Sequence, residues 1–239
     1  MKTITISSRM PIVGLLINSI VESKILAYQK NNDNKETARA ALVMNLILLL
    51  SVLCEALLSE FFIDFIDGIK FSSDYENEEG LQKYLLDRVS RTGWEELSSS
   101  LCEALLGEPL KSIIGQDLYN RLNALSQHRN LIAHGEAMYY SLDLNTHTGK
   151  REKEKFEKKG LAFQQLQDAG IIPRTGFGFR SPLSPRDVYS IKTYEYFEVA
   201  VVEFATKFLD YIKEKEGALY DDTSFFQKAA NLNHLRAEE

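Results

Sequence analysis

The stretch from residue 40 to residue 65 constrains the fold more than any other part of the chain. Ala40 to Cys54 is a run of 15 residues with no charged side chain, and apolar residues continue around most helical faces to Phe65. A helix that is apolar on most faces has to be enclosed by other helices or by a second subunit. Asp33 or Asn34 is placed to cap its start, and Gly68 to stop it just past Asp67. The uncharged run falls short of the roughly 18–20 residues needed to cross a bilayer. The expectation is a buried central helix in an all-α bundle.

The rest of the chain is punctuated to match. After Pro11, which suits a first helical turn, Ile12, Leu15, Leu16, Ile20, Ile25 and Leu26 recur at helical spacing up to the Asn31-Asn32-Asp33-Asn34 break. Arg9 and Pro11 interrupt any signal-peptide pattern there, so neither an export nor a membrane segment is expected. Ser72 to Gly80 is a polar loop. A third helical region runs from Leu81 to Leu106 with an interruption at Thr92-Gly93, and Gly107, Glu108 and Pro109 end it. Another helix begins near Gln116, carried by Leu118, Leu122, Leu125, Leu131 and Ile132.

Between Met138 and Pro185 the periodicity weakens. Tyr139, Tyr140, Leu142 and Leu144 suit a short strand, and Gly170 to Pro185 is a loop punctuated by Gly and Pro. The last long helix follows Ser184 and Pro185 and runs to about Lys215. Its apolar stripe is Val188, Ile191, Tyr194, Val199, Val202, Phe204, Phe208 and Ile212. A shorter helix is expected in the tail from Asp221. The chain thus divides into a helical core over 1–136, an insertion of mixed or irregular structure over 137–185, and a C-terminal helix over 186–239 that completes the bundle. The segment Leu53 to Glu60 recurs almost unchanged as Leu101 to Glu108, but the flanks diverge, which points to shared helix-former usage rather than duplication.

A chain of 239 residues with 44% hydrophobic and 26% charged residues is globular and the size of one elaborated domain. Its net charge of -6 gives no global attraction for nucleic acid, so any RNA affinity has to arise at a local basic site. Cys54 and Cys102 lie in apolar helical contexts without disulfide or metal spacing, which suits buried small hydrophobes in a reducing cytoplasm.

Chemistry is concentrated in Gln127-His128-Arg129-Asn130-Leu131-Ile132-Ala133-His134-Gly135, which brings a permanent cation, an amide and an imidazole within six residues. Arginine offers a planar fork matched to phosphate oxygens, and histidine is the side chain best suited to proton transfer near neutral pH. The pair fits phosphodiester chemistry. Asn130 and His134 are four apart and share a helical face, whereas Arg129 and His134 are five apart, roughly 140° around an ideal helix. Either the helix bends, or side-chain length compensates, or a second copy of the motif completes the site across a two-fold axis.

Arg129-Asn130-Leu131-Ile132-Ala133-His134-Gly135 resembles the Arg-x4–6-His signature of the HEPN superfamily, including the common Asn after Arg and Gly after His. Leu48 to Glu60 is similar to the Glu-bearing second helix of several HEPN groups. The resemblance covers about residues 10 to 136 and the helix from Ser184 to Lys215, and leaves Met138 to Pro185 unmatched. It implies an antiparallel helical bundle and a metal-independent endoribonuclease of toxin or phage-defence type, with no cofactor. For members that have lost catalysis it implies a module binding RNA, a nucleotide or a protein partner. By the same resemblance His134 is the general acid or base, Arg129 holds the scissile phosphate, Asn130 orients a ligand or His134, and Glu55 supports the site from the second helix. RNA, a second copy of the chain and an antitoxin or defence-system protein are the implied partners.

Other candidates are secondary. Tyr139 and Tyr140 follow the motif closely enough to stack on an unpaired base, or else pack in the core. Lys150 to Lys159 carries six basic and three acidic residues, so Lys150 and Arg151 open either a solvated helix or an arm contacting RNA. His128 is turned about 100° from Arg129 and is expected at the surface, as are His147 and His234. The chain has no Gly-rich phosphate loop, HExxH, nucleophile elbow or CxxC pair, and no metal site is expected.

Overall fold

The computed structural model describes residues 12–31, 36–68, 78–134, 162–172, 188–216 and 224–232. The fold is all-α, with no strand among the described residues. Helix α1 spans Ile12–Asn31, α2 Glu36–Gly68 and α3 Glu78–Arg91. After Thr92 and Gly93 come α4 (Trp94–Glu96), a π-helical turn (Leu97–Leu101) and α5 (Cys102–Leu106). Helices α6 (Leu110–Ile114) and α7 (Gln116–Ala133) follow. Residues 162–168 form α8, and α9 (Ile191–Glu216) and α10 (Ser224–Ala230) complete the order. The boundaries of α1, α2 and α7 and the break at Thr92-Gly93 agree with the periodicity. Helices α6 and α8 and the π turn are additions, each five to seven residues long, too short for a repeating apolar pattern to mark them.

Cross-helix pairs fix the directions of the four long helices. Asn45 of α2 donates to Ser23 of α1, not far from the short link that joins these two helices, so they run antiparallel. Lys24 and Tyr28 of α1 pair with Glu198 and Glu195 of α9 in reversed order, so α1 and α9 are antiparallel. Arg121 and His128 of α7 meet Glu203 and Phe197 of α9, again in reversed order. Helix α2 packs against α1, α3, α7 and α9, which makes it the central element that its sequence demands.

Its inward side chains include Val43, Leu46, Ile47, Leu50, Leu53, Leu57, Leu58 and Phe62. Burying one such side chain contributes about 1.5–3 kcal/mol, so α2 anchors the fold. At its C-terminal end Phe61 packs edge-on against Phe208 with centroids 5.1 Å apart, and Phe226 of α10 joins Phe208 at 5.3 Å. An ion pair between Lys24 and Glu198, 2.7 Å and nearly buried, pins α1 to α9, with the Tyr194 hydroxyl donating to the same carboxylate at 2.6 Å.

Two details depart from the sequence expectation. Val199 is 49% exposed and not part of the α9 stripe, because it shares the outward face with Glu195 four residues earlier. On α1, Ile12, Leu15 and Leu26 are about half exposed, so that helix buries only one side. By length and composition α1 and α2 each hold a stretch apolar enough to cross a membrane, although half of the α2 stretch is buried inside the bundle, as a core helix would be. The strand proposed for Tyr139 to Leu144, the Lys150 to Lys159 run and the Gly170 to Pro185 loop beyond Ile172 lie outside the described residues.

Candidate functional site

Helix α7 carries the motif, and its placement starts at Gly115. There φ is +89°, a conformation that L side chains rarely adopt, and the chain turns from α6 into α7. Leu118, Leu122, Ala124, Leu125, His128 and Leu131 then face the core. The helix stays regular through Ala133 and ends at His134, whose backbone (φ -90°, ψ 0°) leaves the helical region while its N–H still donates to the Asn130 carbonyl at 3.1 Å.

Arg129 resolves part of the angular problem through its length. One guanidinium nitrogen, Nη1, donates to Asn130 Oδ1 at 2.8 Å, so the head group is drawn round toward the face that Asn130 shares with His134. The other, Nη2, stands 3.6 Å from Glu55 Oε2 on α2. The site therefore joins α2 and α7, with Arg129 partly exposed and both Asn130 and His134 at the surface.

Glu55 is itself held in place. Its Oε1 accepts from the backbone N–H of Trp94 at 3.3 Å. The break at Thr92-Gly93 produces that donor, since the first N–H groups of a helix have no partner within it. Trp94 is fixed in turn: its indole Nε1–H donates to Asn123 of α7 at 2.7 Å, and its ring packs edge-on against Phe204 of α9. Sequence reasoning missed Trp94 and Asn123, whose only signal was a lone tryptophan directly after a helix break.

His128 corrects an expectation. It is fully buried rather than at the surface, because that side of α7 faces α8 and the start of α9. Nε2 lies 3.3 Å from the Ala162 carbonyl and Nδ1 3.5 Å from the Tyr189 hydroxyl, with Phe163 and Phe197 packed edge-on to the ring. Burial pushes its pKa down to about 4, against a smaller opposing effect of the Ala162 hydrogen bond. A neutral, enclosed ring one residue before Arg129 is a structural pin rather than a proton carrier.

Of the predicted residues, Glu55, Arg129 and Asn130 are brought into direct contact, and His134 closes the helix next to them. Tyr139, Tyr140, Lys150, Arg151, His147, His234 and the Gly135 that follows the motif lie outside the described residues. Cys54 and Cys102 are buried free thiols, and burial pushes Cys102 up to about 12 and Cys54 further still, so neither is a nucleophile. Among the described residues no group of three or more His, Cys, Asp and Glu side chains is placed to hold a metal ion. A small open cleft of about 260 Å³ lies further back on α7, lined by Asp117, Asn120, Arg121, Gln165, Asp168 and Tyr196 among others.

Chemically, the arrangement offers a guanidinium with donors to spare beyond its contacts to Asn130 and Glu55, and a solvent-facing imidazole a turn away. These are the groups needed to hold a phosphate and to move a proton beside it. No family model, no curated protein and no solved structure matches the chain.

Proposed function

We propose that this chain is a metal-independent endoribonuclease of HEPN type, acting in the cytoplasm as a toxin or phage-defence effector. The observation that carries the proposal is the Arg129 head group, held by Glu55 and Asn130 at the helix end that exposes His134. In this mechanism the substrate's own 2′-hydroxyl attacks the adjacent phosphorus. His134 accepts its proton, Arg129 stabilises the charge that builds on the phosphate oxygens, and the 5′-oxygen leaves with a proton taken from water, after which His134 returns its own proton to solvent. Breaking the P–O5′ bond yields a 2′,3′-cyclic phosphate and a 5′-hydroxyl.

The proposal includes a homodimer in which two motifs face one cleft. The wide angular separation of Arg129 and His134 along α7 supports it. A neighbouring antitoxin or defence-system protein would restrain the activity. Expression in a bacterial host of the parental chain against His134→Ala tests the function: the parental chain arrests growth and fragments RNA, and the variant does neither. Equal growth and intact RNA with both favour the second reading, a silent module binding RNA, a nucleotide or a protein partner. The ion pair that already engages Arg129 is the observation on that side.

A further inference from the structure

Trp94 and Ser98 stand four residues apart, and so do Tyr119 and Asn123 on α7. The indole Nε1–H of Trp94 donates to Asn123 Oδ1 at 2.7 Å, and the Ser98 and Tyr119 hydroxyls are 3.4 Å apart. The two contacts pair in reversed order, so α4 and the π turn after it lie antiparallel along α7, joined by two polar rungs. Trp94 and Ser98 are both buried. A buried hydrogen bond replaces one made with water and gains little net stability, whereas apolar side chains in the same places would contribute through burial. What satisfied buried polar pairs do provide is one defined register, since each rung is lost when the segments slide.

The backbone N–H of Trp94 depends on that register. It is one of the donors left over where the chain breaks at Thr92-Gly93 and restarts as α4, and it reaches Glu55 Oε1 at 3.3 Å. The other oxygen, Oε2, lies 3.6 Å from Arg129 Nη2. That is a charge contact rather than a hydrogen bond. The direction of the Glu55 carboxylate is therefore set by the Trp94 N–H and not by the cation. Arg129 follows Asn123 by six residues, about 9 Å along α7 at 1.5 Å per residue. The contacts thus close a circuit through three helices, from Asn123 to Trp94, to Glu55, to Arg129 and back along α7. Arg88 of α3 also donates to Glu96 at 2.9 Å, which ties α4 to the helix before the break.

We infer that Asn123 and Trp94 are positioning residues for Arg129, acting through the indole–amide bond and the Glu55 carboxylate to set where the guanidinium meets the scissile phosphate. The inference rests on the ribonuclease proposal and adds to that site two residues that do not touch the substrate. Glu55 alone would hold the cation near α2. The rungs to α7 make the carboxylate, the break and the motif move as one unit, and placement on the scale of an ångström is what such a donor requires.

The test measures single-turnover cleavage of a labelled RNA over a range of protein concentrations, with thermal melting of each full-length variant. Asn123→Leu removes the acceptor and Trp94→Phe removes the donor while keeping a buried aromatic ring. Each is expected to lower the rate at saturating protein by up to about 10²-fold, while the half-saturating concentration moves by less than about twofold. In a Glu55→Gln background, Asn123→Leu is expected to cost less than about twofold more, because the route to Arg129 is already cut there. A readout independent of activity is the Arg129 Nε–H resonance in a nitrogen–proton correlation spectrum, assigned by its loss in Arg129→Lys. It is expected to move in Asn123→Leu and in Trp94→Phe. If Asn123→Leu does not fold, Trp94→Phe decides alone. Parental cleavage rates in a folded variant, an unmoved Arg129 resonance, or a loss that adds in full to that of Glu55→Gln overturns the positioning role and leaves the ribonuclease proposal standing. A parental chain that cuts no RNA contradicts the ribonuclease proposal, and the resonance then still decides whether the circuit reaches Arg129.

Discussion

Glu55 and Arg129 are linked across two helices, and the carboxylate that reaches the guanidinium with one oxygen is held through its other oxygen by the Trp94 backbone N–H. The cation of the motif is thus positioned by a group that is itself positioned. That arrangement separates two roles for Glu55, charge partner and hydrogen-bond acceptor, which one substitution can tell apart.

Glu55→Gln keeps an acceptor for Trp94 but removes the charge facing Arg129. Because the pair is partly exposed, stability is expected to change by less than about 1 kcal/mol. RNA cleavage is expected to fall by up to about 10²-fold through misplacement of the guanidinium, the scale on which positioning losses are felt. Kinetics and thermal melting on the same preparation check this, and equal losses in both would show that Glu55 serves only the fold.

Arg129→Lys keeps the charge and loses the fork. A compact ammonium cannot donate in parallel to two phosphate oxygens while also holding Asn130, so cleavage is expected to drop by about 10²–10³, the range seen when one preorganised transition-state donor is removed. Single-turnover rates measure it. Near-normal cleavage by the lysine variant would show that charge alone suffices.

His128 places an acid limit on stability. Its folded pKa of about 4 lies below the ordinary value of 6.5, so below pH 6.5 the unfolded chain binds the proton more readily than the folded one. Its contribution is fully present above pH 6.5 and declines as the pH falls toward 4, by about 3 kcal/mol in all at 1.36 kcal/mol per pKa unit. Urea denaturation across that range is expected to show the decline in the parental chain and a flatter profile in His128→Gln. Superimposable profiles would remove His128 from the account.

Most of this architecture was legible because it depends on long periodic signals. The apolar run from Ala40 to Phe65, Pro11 before α1, and Thr92-Gly93 between α3 and α4 each act within a few residues of where they sit. The contact between Arg129 and Asn130 is local in the same way, since the two are neighbours in the chain. What escaped depends on contacts between distant segments. The face of α7 that carries His128 looks outward in an isolated helix, and it is buried only because Ala162, Phe163 and Tyr189 return to cover it. Val199 looked apolar enough for the core, but α9 is covered on fewer sides than its composition allows. Trp94 and Asn123 lie 29 residues apart, and nothing in either neighbourhood announces the bond between them.

The dimer has a direct check. With two motifs facing one cleft, light scattering at micromolar concentration should give twice the 27.2 kDa chain mass. A strictly monomeric species that still cleaves RNA would place the complete site within one chain.

The central claim, that His134 and Arg129 promote attack by the RNA's own 2′-hydroxyl, is tested most directly with paired oligonucleotides. One is all ribose, the other carries a single deoxyribose at the mapped cut site, and both are incubated with purified protein in EDTA. The account predicts that the ribose substrate is cut to a 2′,3′-cyclic phosphate and a 5′-hydroxyl, that the deoxy-substituted substrate stays whole, and that His134→Ala cuts neither. Robust cutting of the deoxy-substituted strand, or loss of all cutting in EDTA with recovery on adding Mg²⁺, would contradict it.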